Sequence, residues 1–262
     1  MFGPRALCVT IVLTALAGIL LGVFPHVDFA VSDFFEDSQP SFGLASAPWA
    51  KHLRSLGFVL PVLVALIFLG ALVAKAMFPK LKLFADSRAI VAVLLTFAIG
   101  PGLLVNVLLK EHWDRQRPVS AIEAVEQGDT GAFQPWWNPY GTCRSNCSFV
   151  SGEVSAAAMM IGAGAVLPAA LAPAAVGAAI AVTALVGFLR LAFGGHFLSD
   201  VVLAVLLTQC IAVGMQRIMY DRRWPPGRPG VIDAALQRAG RPLRSWVSRL
   251  PGNVLRRRFR RL

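Results

Sequence analysis

Apolar residues fall into six long runs along the chain, at 6–24, 58–78, 89–109, 154–171, 174–192 and 198–219, with charged and turn-forming residues gathered between them. A helix needs about 20 residues to cross the ~30 Å hydrocarbon layer of a bilayer, and each run is close to that length. Unpaired backbone amides are intolerable in lipid, so such runs form helices or the strands of a closed barrel, and these lack a barrel's in-out alternation. The pattern predicts an all-α polytopic membrane protein, a six-transmembrane-helix bundle. The first run follows Arg5 and resembles a secretory leader. It is long, however, no small-residue cleavage pattern follows it, and Ala45-Ser46-Ala47 comes too far downstream, so it is expected to stay as a first membrane helix.

Composition agrees with a lipid solvent: 56% of the 262 residues are hydrophobic and 15% charged, with mean hydropathy +0.64. The net charge of +11 would suggest nucleic acid were it spread over a soluble surface. Much of it instead lies in the last forty or so residues, from Arg222 and Arg223 to Arg260 and Arg261, and Lys80, Lys82 and Arg88 sit in the short link at 79–88. An even number of spans with these segments inside satisfies the positive-inside rule. Two parts follow: a membrane domain over 1–220 and a basic cytoplasmic tail over 221–262. The tail is read as topology plus attraction to anionic headgroups, and Ile232, Leu236, Leu243, Trp246 and Val247 among its arginines suggest an interfacial helix. No nucleic acid or protein partner is implied.

This topology brings three segments, 25–57, 110–153 and 193–197, to the opposite side. The first holds Asp28, Asp33, Glu36 and Asp37 and identifies no chemistry by itself. The second is long, carries Trp136 and Trp137, and ends in Cys143-Arg144-Ser145-Asn146-Cys147; long loops between packed elements are commonly functional. In an oxidising compartment Cys143 and Cys147 can form a disulfide, with two free thiols as the alternative, and no further ligands suggest a metal site. Cys8 and Cys210 lie in apolar spans as small hydrophobes.

A phosphoryl group needs several fixed cations and backbone N–H donors. Lys110 and Arg117 flank the start of the long loop, Ser151-Gly152 ends it, and Arg190 closes the fifth run. Each charge alone is also explained by snorkelling to headgroups. His196 and Asp200 are harder to explain that way. Four residues apart at the start of the sixth run, they share a helical face, so Asp200 can accept from one ring nitrogen and leave the other nucleophilic. Gly194-Gly195 permits a tight turn that returns Arg190 beside His196.

With these residues the chain resembles the type 2 phosphatidic acid phosphatase superfamily of membrane lipid phosphatases, whose motifs are K-x6-RP, PSGH and SR-x5-H-x3-D. Lys110 with Arg117-Pro118 matches the first motif in full. Ser151-Gly152 matches the middle of the second, and Arg190, His196 and Asp200 match the third, with Leu189 in place of its serine. The resemblance implies that His196 attacks phosphorus to give a phosphohistidine and that Asp200 orients it. Lys110, Arg117, Ser151, Gly152 and Arg190 would hold the phosphate oxygens, with no metal or other cofactor.

Val150 and Glu153 replace the proline and histidine of the second motif, and that histidine is the family's general acid. Glu153 is the candidate substitute, provided that burial keeps its proton against the nearby cations. His112 is a second candidate, and a good leaving group needs neither. The run from Ser148 to Glu153 resembles the variant found in bacterial lipid A phosphatases. That likeness implies an enzyme of the inner membrane with its site facing the periplasm. Undecaprenyl pyrophosphate, phosphatidylglycerol phosphate, a lipid phosphotransferase, an inactive lipid-binding relative and a transporter are the alternatives, the last on Gly100-Pro101-Gly102.

Overall fold

The computed structural model describes residues 4–36, 42–129 and 131–249. Asp37 and the arginines at 256–261 lie outside these residues. The described chain is helical, with no strand. Its elements are α1 (Pro4–Val23), α2 (His26–Phe34), α3 (Pro48–Met77), α4 (Ser87–His112), α5 (Pro118–Glu126), α6 (Gly152–Ala165), α7 (Ala172–Ala192), α8 (Leu198–Tyr220) and α9 (Val231–Arg249).

Five of these helices, α1, α3, α4, α7 and α8, are long and apolar enough to cross a membrane. The sixth expected span, 154–171, is helical only over the 14 residues of α6, roughly 21 Å at 1.5 Å per residue. Pro168 in the following turn cannot continue a helix. Helix α6 is the interior of the bundle, packed against α3, α4, α7 and α8. Its small residues Ala157, Ala158, Gly162, Ala163 and Gly164 are buried, which allows close helix approach of the kind membrane bundles use. Ser155 and Thr208 share a hydrogen bond of 2.7 Å between α6 and α8. Where α6 stops short, a cavity of about 910 Å³ opens beside Ala165, Asp86, Gln216 and Tyr220, at the end opposite the motifs.

Large hydrophobics on the outer faces of α1 and α3, among them Ile19, Leu20, Leu63 and Ile67, remain exposed as lipid-facing residues would. Tail helix α9 forms within the expected interval and packs on α3, and Asp233 accepts from the Ser87 hydroxyl at 2.6 Å.

Three local features aim the bundle at the motifs. Pro101 has no N–H to give, and from Ala98 to Leu109 helix α4 widens to i→i+5 bonding, with the Asn106 amide donating to the Pro101 carbonyl at 2.7 Å. The Gly-Pro-Gly segment thus stands in a widened stretch of helix that leads into Lys110. Helix α3 begins ten residues before the expected span at 58, so part of the anticipated outer loop is helix and carries Lys51 and Arg54. Indole N–H groups of Trp136 and Trp137 donate to the carbonyls of Gly18 and Gly22, which ties the long loop to α1.

Candidate active site

The motif residues converge at one end of the bundle. Ser151 caps α6, accepting from the Val154 amide at 3.5 Å, and the helix start leaves first-turn amides without intrahelical acceptors, a ready anion site. Gly152 is needed there for closeness: a Cβ would meet the Asn106 side-chain oxygen at 2.8 Å. At the end of α7, Arg190 is buried and its guanidinium lies where a Gly195 Cβ would stand. Gly194 has φ +59 and makes the turn into His196. Arg117 and Arg190 line a cavity of about 300 Å³ together with Gly194, Gly195, Lys51 and Arg54.

His196 is 2% exposed. Its Nδ1 faces Asp200 Oδ2 at 3.7 Å, longer than a hydrogen bond, and that nitrogen is buried with no partner. Catalytic contacts often tighten only once substrate is bound. Burial, aided by Arg190 and Lys110 and opposed by Asp200, pushes the His196 imidazole down to about 4, so the ring is neutral at pH 7.

Asp200 is fixed by a network the motifs do not reveal. Its Oδ1 accepts from Arg115 Nη1 at 2.6 Å. Its Oδ2 accepts from the Ser148 hydroxyl at 2.5 Å and from the Phe197 amide at 2.9 Å. Arg115 is wholly buried, gives Nη2 to Asp28 at 2.7 Å, Nη1 to Ser199 at 2.8 Å and Nε to the Gln134 carbonyl at 3.0 Å, and sits over the Phe197 ring. Asp28 from α2 also receives the Ser199 amide at 2.7 Å and hydroxyl at 2.5 Å. Two carboxylates thus share one guanidinium. Some negative charge is left facing His196, where it would stabilise a cationic ring.

The cations of the first motif are held by Asn146. Its side-chain oxygen accepts from Lys110 at 3.2 Å and its backbone carbonyl from Arg117 at 3.0 Å. Cys143 and Cys147 are disulfide-bonded, with Cα atoms 5.8 Å apart, and close the loop on which Asn146 sits at positive φ. The Cys147 and Ser148 amides donate to the carbonyls of Lys110 and Arg115, so the loop runs along the first motif.

Glu153 lies at the site, paired with Arg54 of α3 through contacts of 2.5, 3.0 and 3.2 Å, and is 3.6 Å from Arg190. Two guanidiniums favour the carboxylate form. His112 is exposed at the end of α4 with Nδ1 on the Leu108 carbonyl, 2.9 Å away. Among the described residues no group of three or more His, Cys, Asp and Glu gathers as a metal site would require.

Motif reading therefore misses Arg54, Arg115, Asp28, Ser148 and Asn146. One signal was available: a carboxylate in the apolar stretch Val27-Asp28-Phe29-Ala30 is expensive without a cation.

A family model described as PAP2 superfamily matches residues 89–224. A lipid A 4'-phosphatase of Rhizobium leguminosarum is 36% identical over 200 residues, 74% of each chain. The protein of that name from Rhizobium etli is 35% identical, over 74% of this chain and 67% of its own. A third, from Francisella tularensis subsp. novicida, is 29% identical over 79% of this chain and 92% of its own. No solved structure matches the chain significantly.

Proposed function

The chain belongs to the PAP2 superfamily, and on that premise we propose that it is a lipid phosphatase that removes a phosphate from lipid A through a phosphohistidine at His196. The observation that carries the reading is the placement of a neutral, buried imidazole between the Arg115-anchored carboxylate of Asp200 and the cations Lys110, Arg117 and Arg190. Lipid A as substrate rests on the three relatives of that name.

In the first step the ring nitrogen that does not face Asp200 attacks phosphorus, and the P–O bond to the lipid breaks. Asp200 takes a hydrogen bond from Nδ1–H and offsets the positive charge that develops on the ring. Lys110, Arg117, Arg190 and the amides at Ser151-Gly152 neutralise the phosphoryl oxygens. In the second step water attacks the phosphohistidine and phosphate leaves with the imidazole restored.

Glu153, ionised beside Arg54, is in the form that accepts the proton of that water. By reversal, the same carboxyl, once protonated and freed from Arg54, supplies the proton to the leaving oxygen. No metal takes part in this scheme.

The site faces the periplasm of the inner membrane in this reading. Two observations support that orientation. Lys80, Lys82, Arg88 and the arginines of α9 lie at the opposite end from the motifs, and the disulfide at the site suits an oxidising compartment.

The test is phosphate release by purified protein from lipid A, undecaprenyl pyrophosphate and phosphatidylglycerol phosphate, in detergent with chelator and no acceptor lipid. Release from lipid A by wild type, with none from His196→Ala, is expected. Release from another lipid alone moves the substrate assignment, and binding without release points to transfer or to an inactive relative.

A further inference from the structure

The first turns of α3 carry the wrong charge for a helix start. Lys51 and Arg54 stand there with no acidic residue in the first turn, although the macrodipole disfavours cations at an N-terminus. An anion bound at this place reverses that penalty. The Lys51 ammonium has no hydrogen-bond or ion-pair partner among the described residues, whereas Arg54 reaches Glu153.

Two cavities meet at these side chains. One is the pocket of Arg117 and Arg190, which Lys51 and Arg54 also line. The other, of about 540 Å³, is lined by Lys51, Arg54, Ser55, Phe58, Val59 and Glu153. Positions 51, 54, 55, 58 and 59 follow helical spacing, so they form one stripe of α3. The stripe is polar at the end nearest the site and apolar deeper in the span, the order of a lipid's headgroup and chain.

Charge points the same way. Lys51, Arg54, Arg117 and Arg190 are four cations lining the two cavities, and Glu153 is the carboxylate that lines them. One phosphate monoester supplies only about −1.5 to −2. A surplus of about one positive charge remains.

We propose that Lys51 and Arg54 form a second anion subsite, which holds another phosphate of the same lipid headgroup while Phe58 and Val59 receive its hydrocarbon. This rests on the phosphatase reading and makes the enzyme selective for a lipid that carries two phosphates. The slot also marks where the lipid enters sideways from the bilayer.

The test uses the full chain in detergent micelles, with lipid A bearing two phosphates and the analogue that keeps only the phosphate wild type removes. Lys51→Gln is expected to lower kcat/KM about tenfold on the two-phosphate lipid, through KM, and to change the single-phosphate lipid by no more than about twofold. Lys51→Arg restores the two-phosphate rate, which separates charge from fold. An equal loss on both lipids, or none on either, overturns the subsite. If wild type hydrolyses neither lipid, the phosphatase reading falls by itself and capture decides the subsite. His196→Ala would then have to bind the two-phosphate lipid more tightly than the single-phosphate one, and Lys51→Gln in that background would have to remove the difference; equal capture overturns the proposal.

Discussion

Two sets of charged residues flank His196, and they are built on opposite principles. Behind the ring, Arg115, Asp28 and Asp200 are fully buried, and each is tied by several short hydrogen bonds. In front of it Arg54 and Glu153 are partly exposed and Lys51 is exposed, and among the described residues Lys51 has no counter-charge. A buried ion pair survives its desolvation only when its hydrogen bonds are complete, so the rear set has one arrangement and serves as scaffold. The front set has one unpaired cation and room around it, which suits side chains that rearrange around a ligand.

Breaking the rear set should have the largest effect. Arg115→Met strands two carboxylates in the interior, and a loss of about 3–5 kcal/mol is expected for removing one partner of a buried pair. Thermal unfolding in detergent measures that loss, and phosphate release should vanish even where the variant folds. Asp28→Asn keeps the shape and one hydrogen bond, so it should lose activity while remaining folded. A stable, active Arg115→Met would erase the distinction between the two sets.

The front set should show the converse. Glu153→Gln is expected to cut turnover roughly 100-fold, the lower end for a lost acid-base group, with stability changed by less than about 1 kcal/mol because the Arg54 pair is half exposed. Similar losses of stability in Glu153→Gln and Arg115→Met would mean that both sets are structural. Smaller again is the effect of Cys143→Ser with Cys147→Ser. The closed loop is short, so the loss of stability is about 2 kcal/mol at most. The rise in KM should exceed the fall in kcat, since Asn146 positions the cations Lys110 and Arg117 and no reacting group.

The two sets also differ in how far they could be read from sequence. Lys110, Arg117, Ser151, Gly152, Arg190, His196 and Asp200 stand in fixed spacings, and the structure brings them to one end of the bundle. Arg115 lies inside the first motif's spacer, where nothing in the spacing separates it from Asp114 or Gln116. Its partner Asp28 is 87 positions away, and only packing brings them together. Arg54 was hidden for a different reason: hydropathy marks the apolar part of α3 and misses its polar first turns. Hydropathy likewise marked 154–171 as one of six span-length runs, whereas its helix α6 ends at Ala165 and its small residues are enclosed by protein. The tail helix α9 was legible, since the placement of apolar residues among arginines acts locally.

The finest effect on the comparison comes from pH. His196 in the folded protein is held down to about 4, below the ordinary value of 6.5, so the unfolded chain takes up its proton first as pH falls. The contribution is therefore fully present above about pH 6.5 and is lost progressively as pH drops toward 4. Wild type should lose stability over this window relative to His196→Gln, and thermal unfolding of the two proteins at matched pH measures the difference. Parallel curves would place His196 in a wetter setting than the one behind which Arg115 and Asp200 are packed.

In the proposed reaction His196 carries the phosphoryl group. That role is tested most directly by rapid acid-free quenching of the purified enzyme during turnover of lipid A labelled in its phosphate, followed by peptide mapping. A phosphate stable to base and labile to acid is expected on His196, and it should be lost in His196→Ala together with turnover. Continued turnover with no label on the protein, or label on another residue, would contradict it.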